Sequence, residues 1–315
     1  KYGICIVCGF FGVVNFKGQL KAEDKVDIKK GIKSIEYRGP DDQNIISNDN
    51  FCFGFNRLSI IDLDAENQPY YTSDKSVFMM CNGEIYNYKE LKKILISKGY
   101  KFKTKTDVEV ILHGYVEWGE SICNKLNGIF SIVLLDRRIN KIFLIRDHLG
   151  VKPLHYFING EKIYFGSDYN SFFCIHDYNH SLNNSALISY LSFRNVIGKQ
   201  TFYKDIFDIL PGTKITFEGN KIKEDQYWDI PTVIEPDQGI DFYLSELDRL
   251  INESVKKQMV SDVPLGAFIS GGLDSSLLLS YIKNYKSNIN TYITGFEEQG
   301  YNEFEHAETV ADYLN

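Results

Sequence analysis

The chain has 315 residues, of which 43% are hydrophobic and 24% charged, and its net charge at pH 7 is −7. This is ordinary globular composition, and the length suggests two domains rather than one. An acidic chain lacks the basic footprint of nucleic-acid binding, and no apolar run reaches the ~18–20 residues of a membrane span, so we expect a cytoplasmic protein with neither kind of partner.

Six cysteines in a chain of this length do not make a disulfide scaffold. Cys5 and Cys8 form a C-x-x-C pair, but their surroundings read as a strand, where an offset of three places side chains on opposite faces. His176 and His180 lie in a loop pattern. We therefore expect no protein-held metal site at either pair.

The first part of the chain is rich in short β patterns, and tight-turn signals at Asn159-Gly160 and Gly219-Asn220 separate some of them. Two helices are predicted, at Tyr88–Ser97 and Asp107–Trp118, and Thr106 to Glu109 reads as a capping box. Helices set between many antiparallel strands favour an α+β layered sandwich. The predicted strands are Val7–Val14, Phe53–Ile61, Val77–Asn82, Ile129–Asp136, Lys141–Arg146, His155–Ile158 and Lys162–Ser167.

A change of pattern follows. Tyr227–Gly239 lacks periodicity and holds two prolines, which is typical of a linker. Beyond it, strands and helices alternate, which indicates an α/β doubly wound parallel sheet. The predicted elements there are a helix from Phe242, a strand at Pro264–Ile269, a helix at Ser276–Ile282, a strand at Thr291–Phe296 and a helix at Glu303–Leu314.

Ser270 to Ser276, with the sequence SGGLDSS, lies between a predicted strand and a predicted helix. Two glycines let the backbone approach a ligand closely, and the N–H groups of a helix N-terminus suit an anion. There is no Gly-Lys-Ser/Thr, so this is not the common nucleoside-triphosphate P-loop. The alternative is an ordinary glycine-rich turn between a strand and a helix.

Three further signals each have two interpretations. Asn82-Gly83 is either a hairpin turn or an oxyanion hole that combines a side-chain amide with a backbone N–H. Arg57, in an apolar strand, is either a surface arginine or a bidentate carboxylate clamp. Asp107 either interacts favourably with the dipole at the start of a helix or binds a substrate ammonium.

Together these motifs occur in the order of one family. The chain closely resembles glutamine-hydrolysing asparagine synthetases, which join a class II, N-terminal-nucleophile amidotransferase domain to an ATP-pyrophosphatase synthetase domain. The resemblance covers essentially residues 8–315. It rests on Cys8–Gly12, Tyr37–Asp42, Arg57–Asp62, Asn82–Asn87, Asp107–Val110, Arg146–Leu154 and Ser270–Ser276.

The resemblance implies an α+β four-layer sandwich for residues 8–228, a linker at 229–239, and an incomplete doubly wound α/β domain at 240–315. It also implies that Cys8 attacks the glutamine carboxamide, while Asn82 and Gly83 stabilise the oxyanion. Arg57 and Asp107 would hold the α-carboxylate and α-amine of glutamine. The pocket would be completed by Leu58, Ser59, Ile60, Ile61 and Glu84.

For the second domain, the resemblance implies ATP, accompanied by Mg²⁺, and aspartate or another carboxylate acceptor. It allows a homodimer. Matching positions place the pyrophosphate on Ser270, Gly271, Gly272, Asp274 and Ser275, and the adenosine at Ile269 and Thr294. The family continues past Tyr301–Glu303, so we expect a C-terminally truncated domain.

A nucleophile whose base is its own α-amine must be the first residue, because an amide nitrogen cannot accept the proton. We therefore expect residues 1–7 to be absent from the working protein for one of two reasons. Either they are a processed leader, or translation starts at Val7, where a GTG codon is translated as Met, and the preceding residues lie upstream of the true start. Rival interpretations are other amidotransferases, which lack the Ser270–Ser276 loop, a β-lactam-synthetase-like enzyme without a working cysteine, and a truncated chain that keeps only glutaminase activity or none.

Overall fold

The computed structural model describes residues 7–233, 236–295 and 302–314. Cys5, Phe296 and Tyr301, which appear in the sequence predictions, lie outside these ranges, as do the other residues of the segment before Val7. The chain divides into two compact units between Pro231 and Thr232. Within the described ranges, no helix has both the length and the hydropathy needed to span a membrane.

The first unit contains two six-stranded antiparallel sheets. One sheet has the order β10-β8-β9-β1-β3-β2 and the other β12-β11-β7-β6-β5-β4. The strands are β1 Gly9–Asn15, β2 Asp42–Ser47, β3 Phe51–Arg57, β4 Tyr70–Tyr71, β5 Val77–Ile85, β6 Gly128–Asp136, β7 Lys141–Arg146, β8 His155–Asn159, β9 Lys162–Gly166, β10 Ile206–Asp208, β11 Thr213–Glu218 and β12 Lys221–Gln226.

Helices accompany both sheets. They are α1 Ala22–Ser34, α2 Tyr88–Ser97, α3 Glu109–Trp118, α4 Tyr169–Phe172 and α5 Asn184–Phe193, with 3₁₀ turns at Glu36–Arg38 and Gly119–Lys125.

Three hydrophobic cores separate four layers in this unit. Successive residues of a strand point to opposite faces, and β1 shows the result. Phe10 joins the core between the two sheets, whereas Phe11 packs with Ile28 of α1 and Phe172 of α4. A third core lies under α2 and α3, on the other side of the second sheet. The order helix, sheet, sheet, helix confirms the predicted α+β four-layer sandwich.

Burial on both faces explains why the strands were readable as continuous apolar runs. Every residue of β3 is buried, and most of β5 is as well. The turn signals at Asn159-Gly160 and Gly219-Asn220 are confirmed, since they connect β8 to β9 and β11 to β12.

Of the two interpretations of Asn82-Gly83, the structure excludes the hairpin turn, because both residues pair with β6 inside β5. One local prediction is wrong. The capping box is absent, because the Glu109 carboxylate accepts hydrogen bonds from the backbone N–H groups of Lys103 and Thr104. The N-terminus of α3 therefore has no side-chain cap.

The second unit has the βαβ arrangement that was predicted. Strands β13 Gly266–Phe268 and β14 Asn290–Tyr292 are parallel and are connected through α7 Leu273–Lys283. Helices α6 Ile240–Gln258 and α8 Phe304–Leu314 complete the described part. Its small core contains Ile269, Leu279 and Ala307.

Candidate active site

Cys8 lies immediately before β1 and is held through both its side chain and its backbone. The N–H of Leu58 donates to Cys8 Sγ at 3.3 Å, and the thiol faces the Leu58 carbonyl oxygen at 3.6 Å. Burial raises the pKa of the Cys8 thiol, although the Leu58 hydrogen bond and the charges of Lys152 and Arg57 oppose the shift. The resting thiol is therefore protonated at neutral pH, and attack by its sulfur requires a base.

Arg38 fixes the backbone of Cys8, a role that the sequence did not reveal. Its Nε donates to the Cys8 carbonyl oxygen at 3.3 Å, and its guanidinium pairs with Asp168 at 3.4 Å. Tyr37 donates to the same carboxylate at 2.6 Å. A Cβ at Gly9 would lie 3.0 Å from Arg38 Cδ, so the glycine after Cys8 leaves room for this side chain.

A cleft of about 100 Å³ opens beside Cys8. The structure brings almost all the predicted glutamine-site residues to it: Cys8, Arg57, Leu58, Ile60, Ile61, Asn82, Gly83, Glu84 and Asp107. Ser59 is not among its lining residues, and its N–H donates instead to Asp41 at 2.7 Å. The other lining residues, which were not predicted to bind glutamine, are Val7, Gln68, Tyr70, Cys81, Thr106, Val108 and Lys152.

Strand β5 forms one wall of this cleft. Asn82 is 1% exposed, and its Nδ2 has no hydrogen-bond partner within the described parts of the chain. Gly83 has φ +151°, and a Cβ there would lie 2.0 Å from the carbonyl oxygen of Ile129. A buried amide donor without a partner is costly unless a ligand engages it. Asn82 is therefore suited to receive an acceptor atom that enters the cleft.

The loop after β3 is shaped around Arg57. Its guanidinium donates to the carbonyl oxygen of Ile61 at 3.4 Å and to those of Asp62 and Ala65. These bonds explain why the predicted strand Phe53–Ile61 ends at Arg57, since the following residues curve back to the side chain. The buried cation is thereby fixed at the edge of the cleft.

Asp107 also lines the cleft; it lies just before α3 and is 6% exposed. Burial raises the pKa of its carboxyl to about 7, Glu84 adds to the shift, and the N–H donated by Ile85 at 2.7 Å opposes it. Neighbouring Glu109 braces the loop before α3. Burial alone would raise the pKa of Glu109, but hydrogen bonds from His113, Lys103 and Thr104 lower it to about 2.

We expect Asp107→Asn to stabilise the first unit at pH 8 but not at pH 4. An Asp pKa is about 3.9 in an unfolded chain, so the raised folded value means that stability falls as pH rises from about 4 through 7. Asparagine keeps an acceptor for the Ile85 N–H and removes the charge. One pKa unit is about 1.4 kcal/mol, or roughly 3–6 °C in Tm for a unit of this size.

Tryptophan fluorescence measures this directly, because the two tryptophans, Trp118 and Trp228, both belong to the first unit. Asp41→Asn is a matched control: Asp41 is exposed and also accepts a backbone N–H. Equal Tm differences at pH 4 and pH 8 for Asp107→Asn would contradict the prediction.

The second unit contains the other predicted site. Ile269, Ser270, Ser275 and Thr294 line one cleft of about 400 Å³. Ser270 and Ser275 share a hydroxyl–hydroxyl hydrogen bond of 2.9 Å. Three predicted residues are in the adjoining loop or first helical turn but are not lining residues: Gly271, Gly272 and Asp274. Gly271 has φ +72° and lies against His306, which explains a glycine at this position.

Comparisons with known proteins agree with both units. The family model described as a glutamine amidotransferase domain matches residues 7–228, and the asparagine synthase model matches residues 246–315. Glutamine-hydrolysing asparagine synthetase 1 of Bacillus subtilis is 34% identical over 98% of this chain and 49% of its own length. A putative asparagine synthetase of Methanocaldococcus jannaschii is 31% identical over 98% of this chain and 63% of its own length.

The chain thus spans about half the length of the Bacillus relative. Among solved structures, a glutamine phosphoribosylpyrophosphate amidotransferase from Bacillus subtilis, in complex with ADP and GMP, aligns with a TM-score of 0.52. The two sequences are 15% identical, and the alignment covers 93% of this chain and 67% of the amidotransferase chain, so the likeness concerns the fold alone. The chain belongs to the glutamine amidotransferase domain family, and its second unit matches the asparagine synthase family.

Proposed function

We propose that the first unit hydrolyses glutamine to glutamate and ammonia, with Cys8 as the nucleophile. One observation carries the proposal: the Cys8 thiol shares a cleft with the buried Asn82 Nδ2, which has no hydrogen-bond partner among the described residues. A nucleophile and a preorganised donor are the two parts that an acyl-transfer site needs.

The remaining walls of the cleft fit the amino-acid end of the substrate. Arg57 offers a fixed cation to the α-carboxylate, and Asp107 offers a buried carboxylate to the α-ammonium. Leu58, Ile60 and Ile61 line the same cleft, with Glu84 on the side of β5.

The reaction follows from this placement. A free α-amine on Cys8 removes the thiol proton, and Sγ attacks Cδ of the glutamine carboxamide. Asn82 Nδ2 and the N–H of Gly83 stabilise the oxyanion. The ammonium of Cys8 returns its proton to the leaving nitrogen, and ammonia departs. Water then cleaves the γ-glutamyl thioester, which yields glutamate and regenerates the thiol.

For the whole protein, we propose that this ammonia amidates aspartate after activation of its carboxylate by ATP, with release of AMP and pyrophosphate. The hydroxyls of Ser270 and Ser275 and the N-terminus of α7 suit phosphate oxygens. Asp274, in the first turn of α7, offers a carboxylate of the kind that Mg²⁺ accepts. A cytoplasmic location and a homodimer belong to the same proposal.

Trapping of the acyl intermediate tests the glutaminase directly. With glutamine and hydroxylamine, the protein with a free Cys8 amine is expected to form γ-glutamyl hydroxamate, because hydroxylamine intercepts the thioester. Cys8→Ala is expected to form none, whereas Cys174→Ala, which changes a cysteine outside the cleft, should match the parent. Glutamate production without hydroxamate, or activity in Cys8→Ala, would reject the proposal.

The acceptor requires a separate measurement. Pyrophosphate release from ATP that depends on aspartate would support aspartate as the acceptor, and the amide product identifies it. Release that depends on a different carboxylate, and not on aspartate, would assign another acceptor to the same chemistry.

A further inference from the structure

Lys152 contributes a second cation to the cleft that contains Cys8. Its Nζ forms no ion pair or hydrogen bond with any residue that the structure describes, although Lys152 is only partly exposed. Lys162, which is also partly exposed, instead pairs with Asp24 at 2.7 Å.

The backbone of Lys152 is held by a dense set of hydrogen bonds. The Asp147 carboxylate accepts the N–H groups of Leu149, Val151 and Lys152 at 3.0–3.1 Å. The Arg146 guanidinium donates to the carbonyl oxygens of Gly150, Lys152 and Ile209. These bonds involve only the backbone of Lys152, so its side chain is free to serve another purpose.

The charges around the cleft indicate that purpose. Arg57 is the other cation there, and under the proposed function its charge is neutralised by the α-carboxylate of glutamine. Besides the α-ammonium that Cys8 forms by taking up its own thiol proton, Lys152 is then the cation that remains at the cleft. The titratable and charged groups that face the cleft are Cys8, Arg57, Tyr70, Cys81, Glu84, Asp107 and Lys152, with Asp147 supporting the loop.

We propose that the Lys152 ammonium stabilises the Cys8 thiolate and thereby assists the glutaminase reaction. This inference rests on the proposed function of the cleft. Glu84 also lines the cleft; burial raises the pKa of its carboxyl, and the charge of Lys152 opposes this shift. A unit positive charge that shares a cleft with a thiolate contributes on the order of one pKa unit at an effective dielectric constant of about 20.

Alkylation of Cys8 by iodoacetamide at a series of pH values tests the proposal on the full chain, with the Cys8 peptide quantified by mass spectrometry. Only the thiolate displaces iodide, so the rate follows thiol ionisation. In Lys152→Met, we expect the midpoint to rise by about one pH unit and the rate at pH 7 to fall about tenfold. Lys152→Arg keeps the charge and should remain close to the parent.

Lys93→Met is the matched control, because Lys93 is exposed on α2 and is not a lining residue of the cleft. Lys152→Gln provides a second neutral variant, and an unchanged Tm by tryptophan fluorescence excludes a folding defect. The role of Lys152 would be overturned if both neutral variants were alkylated with the parent's pH profile.

Glutamine hydrolysis is measured separately on the same variants, each with a free Cys8 amine. A parent that hydrolyses no glutamine, with a shifted alkylation profile in Lys152→Met, would reject the glutaminase and retain the effect of Lys152. Normal hydrolysis with an unshifted profile would reject Lys152 alone.

Discussion

Removal of residues 1–7, so that Cys8 carries a free α-amine, is expected to raise kcat/KM for glutamine by about 10²–10⁴. An α-amine with a pKa of about 7.7–8.0 accepts the thiol proton near neutral pH, whereas the amide nitrogen of the Val7–Cys8 bond cannot. Val7 also lines the cleft, so its removal opens space for the substrate. Ammonia release with glutamine as substrate measures the effect.

A chain that begins Gly-Cys8 separates the two causes, because it lacks Val7 but keeps an amide at Cys8. We expect it to resemble the parent if the base dominates, and to resemble the shortened chain if crowding dominates. The mechanism would be wrong if the parent, with residues 1–7 shown intact by mass spectrometry, hydrolysed glutamine as fast as the shortened chain.

Asn82→Ala is expected to lower kcat by about 10²–10³ with little change in KM. The Nδ2 group meets the oxyanion only as charge develops, so its loss affects the transition state more than substrate binding. Stability should not fall appreciably, because the Asn82 Nδ2 donor has no partner in the part of the folded chain that the structure describes. Steady-state kinetics and Tm on the same preparation measure both effects.

Asn87→Ala is the matched control, since it removes an amide from the same sequence motif. Asn87 donates to Lys125 and accepts from Asn127, at 2.8 and 3.0 Å, and it does not line the cleft. We expect this variant to lower Tm and to keep kcat. Equal kcat losses in the two variants would show that Asn82 acts through structure and not through the oxyanion.

The sequence was most informative for strands with continuous apolar runs and for helices with a clear apolar face. The predicted strand at Lys141–Arg146 and the helix at Tyr88–Ser97 coincide with β7 and α2. Helix α1 was not predicted, because two acidic residues interrupt its apolar face. Asp24 and Asp27 are 1% and 2% exposed and pair with Lys162 and His176, contacts that only the folded chain reveals.

The residues of the site likewise fall into those that the sequence identified and those that only the structure revealed. Residues with an unusual type at their position, such as Arg57 in an apolar strand or Asn82 next to a glycine, were identifiable by motif, and the structure places them on one cleft. Arg38 and Lys152 belong to recognised motifs, but the groups that surround their side chains in the folded chain are distant in sequence. The ion pair of Arg38 with Asp168 joins residues 130 positions apart, and no local pattern encodes that contact.

Asp107 has a consequence for the energetics of glutamine capture. With a pKa of about 7, its carboxyl carries a proton in roughly half of the free molecules at neutral pH. An ammonium ligand requires the carboxylate, so under the proposed arrangement binding expels part of a proton into solution. Under the proposed function, the heat of binding then contains the ionisation enthalpy of the buffer, and the affinity for glutamine rises as pH increases through about 7.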